Sequence, residues 1–263
     1  MTDTSRIPDD SATLTRGSRM PLVGFGTWQI KGDDAVRAVS VALEAGYRHL
    51  DTATVYRNEA EVGRGLSESG VPRDDVFLTT KCPPDKAGQG LDTLRRSLDD
   101  LGTDHVDLWL IHWPGDGSAN VDLWQELVEA REAGLTREIG VSNFDAAQLD
   151  EVTRTGEKPA VNQIEWSPLL YDARTVAEHR DRDVVLEGYS ALRGGTLDHP
   201  VIVGVADRLG RTPAQVIIRW HVQHGIVVIP KSVDPDRIRS NADIASFELT
   251  GDDMAALDGL GSR

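Results

Sequence analysis

The sequence predicts an α/β chain folded as a (β/α)8 TIM barrel with an N-terminal β-hairpin and extra helices near the C-terminus. Short apolar stretches alternate with amphipathic stretches of helical period, which is typical of a parallel sheet covered by helices. About eight such units fit a closed barrel better than an open, doubly wound sheet. No Pro/Ser-rich linker interrupts them, so we expect one domain over residues 12–263, preceded by a disordered tail over residues 1–11.

The first unit differs from those that follow. Residues 12–14 and 22–23 flank Arg16-Gly17-Ser18, a pattern typical of a β-hairpin. With the segment near Val23 as the first barrel strand, seven further strands are predicted at residues 47–52, 76–80, 106–111, 138–141, 161–164, 184–187 and 226–229.

The helices between these strands follow from apolar spacing and from glycines that end them. Residues 33–45 place Val36, Val39 and Leu43 on one face, and Gly46 ends the segment. The same reasoning predicts helices at 58–69, 90–101, 121–133, 146–153, 172–181, 200–209 and 213–221, with short extra helices at 237–241 and 252–260.

Composition and charge exclude several classes of function. The 263 residues carry 28 basic and 43 acidic side chains, a net charge of −15, which disfavours binding to nucleic acid. The single cysteine, Cys82, excludes an intrachain disulfide, and the histidines show no spacing that predicts a metal site. Without an apolar leader or a run of about 20 apolar residues, we expect a cytoplasmic protein that binds no membrane.

Polar side chains end most of the predicted strands. One such residue is usually a satisfied core polar group or a helix cap, but seven at the same end of successive strands predict an active site, because barrel enzymes place it there. These residues are Asp51, Lys81, His112, Asn143, Gln163, Tyr189 and Lys231.

Four side chains at this rim form a plausible acid catalyst. Lys81 and Asp51 are expected to form an ion pair, and Tyr56 is near enough in the chain to join them. A neighbouring ammonium lowers the pKa of a phenol, and His112 adds a hydrogen bond, so together they predict protonation of a carbonyl oxygen. None of them supplies a hydride, so a cofactor is required.

The cofactor site is less distinct. No Gly-x-Gly-x-x-Gly follows a strand, so a Rossmann domain is unsupported. Lys231, Ser232 and Arg237 could bind a phosphate, although their spacing alone equally fits a solvated loop. Tyr189 could stack on a nicotinamide ring or belong to the core. Ser142, Asn143 and Gln163 could bind its carboxamide, with a helix cap as the alternative for Ser142 or Asn143.

Read in order, the motifs resemble the aldo-keto reductase superfamily, and most closely its microbial 2,5-diketogluconate reductase-like members. The resemblance covers about residues 12–260. Its motifs are GFGTWQ (24–29), GYRHLDTA (46–53), Tyr56 with Asn58-Glu59, Thr80-Lys81, DLWLIHWP (107–114), IGVSNF (139–144), NQIE (162–165), IPKSV (229–233) and Arg237-Ile238 with Asn241.

The resemblance implies NADPH-dependent reduction of a small aldehyde or ketone by a monomer. NADH is an alternative donor because Asp234 departs from the family pattern. It matches Asp51, Tyr56, Lys81 and His112 to a catalytic tetrad in which Tyr56 donates the proton. The substrate contacts that it implies are Trp28, Tyr56, His112 and Trp113. The cofactor contacts that it implies are Gly26, Thr27, Trp28, Ser142, Asn143, Gln163, Tyr189, Ser190, Leu192, Lys231, Ser232, Val233, Arg237 and Asn241.

Departures from the family pattern concern the cofactor and the pocket. Asp234 stands where Thr or Arg is common and adds negative charge near the expected 2′-phosphate, while Ser240 replaces a usual Glu. Cys82-Pro83-Pro84 replaces an aromatic wall, which predicts an open pocket of broad selectivity. Two alternatives stay open: a nucleotide-binding barrel with little turnover, and a lyase that uses Lys81 as a Schiff base.

Overall fold

The structure, a computed structural model, describes residues 7–261. Residues 1–6 of the predicted tail and residues 262–263 of the predicted domain lie outside the described residues. The Leu22 N–H donates to the Asp10 carbonyl at 3.0 Å, and the first strand begins at Ser11. Regular structure therefore starts one residue before the predicted domain boundary.

Eight parallel strands follow an antiparallel hairpin of β1 (Ser11–Thr13) and β2 (Arg19–Pro21), which confirms the predicted fold class. Each barrel strand pairs with its neighbours in the chain, so the order around the sheet is the order in the sequence. These strands are β3 (Phe25–Gly26), β4 (His49–Asp51), β5 (Phe77–Cys82), β6 (Val106–Ile111), β7 (Thr136–Ser142), β8 (Val161–Glu165), β9 (Val185–Tyr189) and β10 (Val227–Val228).

The two edges of the sheet meet between its first and last segments. Val23 forms a parallel bridge with Val228, and the Gly24 N–H donates to the Val228 carbonyl at 2.9 Å. The Val228 N–H donates in turn to the Leu22 carbonyl at 2.8 Å, so the sheet closes into a barrel. The predicted first strand near Val23 is displaced, because regular pairing with β4 begins only at Phe25.

The helices alternate with the strands as predicted, and the two extra helices near the C-terminus are present as α9 and α10. In α1, Asp33 and Asp34 lie in the first turn, where the helix dipole favours them, while Val39 and Ala42 are fully buried. The helices are α1 (Gly32–Glu44), α2 (Glu59–Glu68), α3 (Gly90–Leu101), α4 (Ala119–Glu132), α5 (Ala146–Thr153), α6 (Ala173–Asp181), α7 (Pro200–Leu209), α8 (Pro213–Gln223), α9 (Pro235–Ala242) and α10 (Gly251–Asp258).

The hairpin packs against the end of the barrel at which the strands begin. Glu138, near the start of β7, is fully buried there. Its carboxylate accepts from the Thr15 hydroxyl at 2.9 Å and from the Arg16 backbone N–H at 3.0 Å. The opposite end, where the strands finish, stays accessible. Across residues 7–261, no helix has the length and apolar character needed to cross a membrane.

Candidate active site

A cavity of about 920 Å³ opens at the carboxyl ends of the barrel strands. Its wall includes Asp51, Ser142 and Tyr189, polar residues at strand ends, as predicted from the sequence. At one side Trp28, Tyr56, His112 and Trp113 line the cavity, and the lining extends to Lys231, Ser232, Arg237 and Asn241. The structure thus brings most of the sequence-predicted site residues to a single opening.

Lys81 lies fully buried beneath this cavity, held by three oxygen atoms. Its Nζ donates to Asp51 Oδ1 at 2.6 Å, to Asp51 Oδ2 at 2.7 Å and to the Thr52 carbonyl at 2.9 Å. Burial is the largest single effect and lowers the pKa of Lys81, but the Asp51 charge and its hydrogen bond, together with the nearby Tyr56 and Glu187, outweigh it. The pKa is therefore raised above its usual value. Lys81 is therefore a fixed positive charge, and the predicted ion pair is present in the structure.

Tyr56 joins this ion pair from a short 3-10 turn after β4. The Lys81 Nζ lies 3.4 Å from the Tyr56 hydroxyl. Burial raises the pKa of Tyr56, while the Lys81 charge opposes that rise only in part. The expectation of a lowered pKa is therefore wrong for the net shift, although the ammonium acts in the predicted direction. The phenol stays protonated across the neutral range.

Buried hydrogen bonds fix the turn that carries Tyr56. The Thr54 hydroxyl donates to the Lys81 carbonyl at 2.8 Å, which ties the turn to β5. Just beyond the turn, the Asn58 amide donates to the Thr27 and Ile30 carbonyls, both at 2.9 Å. These bonds hold the loop before α1 and the loop before α2 in one arrangement, which sets the distance between the phenol and the ammonium.

His112 lies beside Tyr56 in the cavity lining. Its ring meets the Tyr56 ring edge to face, with centroids 5.6 Å apart, and its centroid lies 4.6 Å from that of Trp113. Burial, assisted by the Lys81 charge, lowers the pKa of His112 to about 3. The imidazole is therefore neutral near pH 7 and offers one N–H donor and one acceptor.

Polar residues in or directly after β7, β8 and β9 form a connected set. The Gln163 amide donates to Asp51 Oδ2 at 2.9 Å, and the Ser142 hydroxyl donates to the Gln163 carbonyl at 2.7 Å. The Tyr189 hydroxyl donates to Asn143 Oδ1 at 2.9 Å. The helix-cap alternative for Ser142 and Asn143 fails, because Asp145 caps α5.

The far end of the cavity carries exposed cations beside a carboxylate. Lys231 and Arg237 both line the cavity. Asp234 caps α9 by accepting from the Arg237 backbone N–H at 3.2 Å, and its Oδ2 lies 4.0 Å from Arg237 Nε. Of the predicted cofactor contacts, Thr27 and Val233 are not part of the lining: Thr27 is fully buried, and Val233 is 51% exposed.

The segment after β9 contacts the loop after β3 at the cavity wall. The Arg193 guanidinium carbon lies 4.9 Å from the ring centroid of Trp28, a cation–π contact between two cavity-lining residues.

Among residues 7–261, no cluster of three or more His, Cys, Asp or Glu side chains could hold a metal ion.

Two buried groups near the ion pair are not predicted from the sequence. His49 lies two residues before Asp51 on β4, and Glu187 lies in the middle of β9. Both are fully buried inside the barrel. The signal that could have identified Glu187 is a carboxylate inside an otherwise apolar strand segment, where a core residue is expected.

Comparison with known proteins identifies the family. A family model described as Aldo/keto reductase family matches residues 22–262. An "Aldo-keto reductase" of Mycolicibacterium vanbaalenii is 49% identical, covering 99% of this chain and 94% of that protein. A "2,5-diketo-D-gluconic acid reductase B" of Corynebacterium sp. is 44% identical, covering 94% of this chain and 92% of that protein.

The solved structures agree with the sequence comparison. The crystal structure of an aldo/keto reductase from Brucella melitensis superposes with a TM-score of 0.92 at 41% identity, covering 95% of this chain and 99% of that one. The chain therefore belongs to the aldo/keto reductase family, and it is an oxidoreductase that acts on carbonyl groups with a nicotinamide cofactor.

Proposed function

We propose that this protein reduces aldehydes or ketones to alcohols with NADPH, and that Tyr56 donates the proton. The observation that carries the proposal is the contact of 3.4 Å between the Tyr56 hydroxyl and the buried Lys81 ammonium. Tyr56 lines the cavity together with His112, and Lys81 lies buried beneath it. A small-molecule carbonyl substrate fits an opening bounded by Trp28 and Trp113.

The chemistry of the cavity fits a nicotinamide dinucleotide. Its volume of about 920 Å³ is within the range of cofactor sites. Asn143 and Gln163 offer amides near Tyr56, where a carboxamide needs partners, while Lys231 and Arg237 offer positive charge at the other end. When bound, the cofactor supplies the hydride that side chains lack.

The side chains divide the work of proton transfer. Because the pKa of Tyr56 is raised, the phenol holds its proton until a carbonyl oxygen gains negative charge. Lys81 then stabilises the phenolate that forms when the proton leaves. Asp51 keeps Lys81 charged and in place. Neutral His112 orients the carbonyl oxygen through its N–H.

The two other candidate functions receive less support. A Schiff-base lyase needs an uncharged lysine that the substrate can reach. Lys81 is fully buried and its pKa is raised, so it is neither accessible nor uncharged. A binding protein with little turnover would not require a phenol, an ammonium and an imidazole around one opening.

We further propose that the protein is cytoplasmic and monomeric, and that it binds neither nucleic acid nor membrane. Gel filtration and light scattering can test the oligomeric state.

Replacing the phenol tests the proposed acid. The Tyr56→Phe variant should lose about 10²–10⁴-fold in kcat for a generic aldehyde, because no other group donates the proton. NADPH affinity, measured by fluorescence quenching, should stay close to that of the unaltered protein. Tyr171→Phe, which changes a tyrosine that packs against Trp220 and does not line the cavity, is the matched control. A Tyr56→Phe enzyme with unchanged kcat would remove the proposal.

A further inference from the structure

Glu187 is a buried carboxyl group that the proposed reaction does not use. It lies in the middle of β9 with no exposed surface, at the level of Gln163 on β8. Within the described part of the chain, neither carboxyl oxygen has a partner that satisfies hydrogen-bond geometry. The Gln163 amide lies beside it but donates to Asp51 at 2.9 Å. A carboxylate left in this state would be very costly.

The groups that face Glu187 favour the protonated acid. His49 Nε2, on β4, lies 3.8 Å from Glu187 Oε1, but burial lowers the pKa of His49 to about 3, so this imidazole takes no proton. Burial and the charge of Asp51, also on β4, disfavour the ionised form of Glu187. The Gln163 amide and Lys81 on β5 favour that form, but they offset burial and Asp51 only in part. The pairing strands β8 and β10 contribute the uncharged Gln163 and Val227.

Burial raises the pKa of Glu187 well above that of an ordinary carboxyl, assisted by the Asp51 charge. The interior beneath Tyr56 therefore holds one anion, one cation and one neutral acid near pH 7. Loss of the Glu187 proton adds a second negative charge near the ion pair. That charge acts on Tyr56 in the direction that raises the pKa of the phenol.

We propose that Glu187 is a positioning residue whose retained proton sets the charge balance beneath Tyr56, so that its ionisation in alkali weakens proton transfer by the phenol. The inference rests on the proposed role of Tyr56. Glu187 touches neither substrate nor cofactor, since it does not line the cavity. It acts through the charge that it adds to, or withholds from, the Asp51–Lys81 pair.

The pH profile of alcohol oxidation tests the inference, because that direction needs the phenolate as a base. In Glu187→Gln no negative charge develops at this position, so the alkaline rise in kcat should move to lower pH by about one unit. Glu187→Leu should move it in the same direction, and it serves if the first variant does not fold. Glu138→Gln changes another buried glutamate, at the opposite end of the barrel, and should leave the profile unchanged.

A spectroscopic readout separates this inference from the proposed reaction. Infrared difference spectra between about pH 7 and about pH 10 should show the loss of a protonated carboxyl band in the unaltered protein and in Glu138→Gln, but not in Glu187→Gln. Absence of that band, or an unshifted oxidation profile in a folded Glu187 variant, overturns the inference. Failure of the proposed reaction appears separately, as unchanged kcat in Tyr56→Phe.

Discussion

Two neighbouring residues of opposite charge, Arg237 and Asp234, bear on the proposed preference for NADPH. The Arg237 side chain is largely exposed, and the Asp234 carboxylate that caps the same helix lies 4.0 Å from its Nε. A bound 2′-phosphate at this end of the cavity would gain from the guanidinium and lose to the carboxylate. Asp234 therefore stabilises α9 as its cap and would oppose the proposed binding of NADPH at the same position.

Removing that charge while keeping the cap should favour NADPH. Asp234→Ser retains a side-chain acceptor for the first turn of α9, and we expect it to tighten NADPH by roughly threefold to tenfold at low salt. NADH affinity should change little, because NADH carries no 2′-phosphate. Arg237→Ala should act oppositely and weaken NADPH more than NADH. Equal effects on both cofactors, measured by fluorescence titration, would contradict the assignment.

The sequence predicts which residues form the site better than it predicts how burial shifts their pKa values. Strand-end position alone selected Asp51, Lys81 and His112, and the ion pair between the first two is present. The direction of the Tyr56 pKa shift was not predictable, because it depends on how far burial outweighs the ammonium. Spacing in the chain reports which groups meet, but not how much water they lose on meeting.

At the level of elements, α2 and α3 make a contact that only glycine permits. A Cβ built on Gly63 would lie 2.4 Å from the Leu101 carbonyl oxygen at the end of α3. The backbone of one helix thus rests directly on the other. Gly204, in α7, has open space where its Cβ would lie and has no left-handed φ.

These two glycines give a matched pair of substitutions. Gly63→Ala should lower the free energy of unfolding by about 1–3 kcal/mol, because backbone atoms must move apart. Gly204→Ala should raise it by up to about 1 kcal/mol through helix propensity. Urea unfolding followed by circular dichroism measures both. Equal effects of the two changes would show that the close approach of α2 and α3 is not maintained in solution.

Element boundaries were less predictable than element order. The predicted strand at 226–229 is only Val227–Val228 in the structure, whereas the one at 138–141 extends from Thr136 to Ser142. Apolar patterning marks burial, but strand ends are set by which backbone groups find partners. Near Val23, the partners come from the far end of the chain, which no local pattern reveals.

For the whole molecule, buried neutral histidines make the free energy of unfolding depend on pH in the acid range. Burial lowers the pKa of His221, on α8, to about 4, and its Nδ1 lies 2.8 Å from the Ile217 carbonyl. The unfolded chain, with a histidine pKa of about 6.5, binds more protons below that pH. Stability therefore falls as the pH drops from about 6.5 to about 4.

Replacing one of these histidines should flatten the acid limb. His221→Gln is expected to cost stability at pH 7 yet to reduce the loss between about pH 6.5 and about pH 4 by roughly 3 kcal/mol. Chemical unfolding at several pH values gives the slope directly. A variant that loses equal stability at every pH would show that His221 does not titrate on unfolding.

The bridge between Val23 and Val228 has a consequence for how the chain reaches this state. About 200 residues separate its two partners, so this contact spans roughly three quarters of the chain. During synthesis, one edge of the sheet stays unpaired: the backbone groups beside β3 have no partner until β10, near the end of the chain, has been made. Closure is thus a late event, and an incomplete nascent chain presents an open sheet edge on which a chaperone or a second nascent chain can pair.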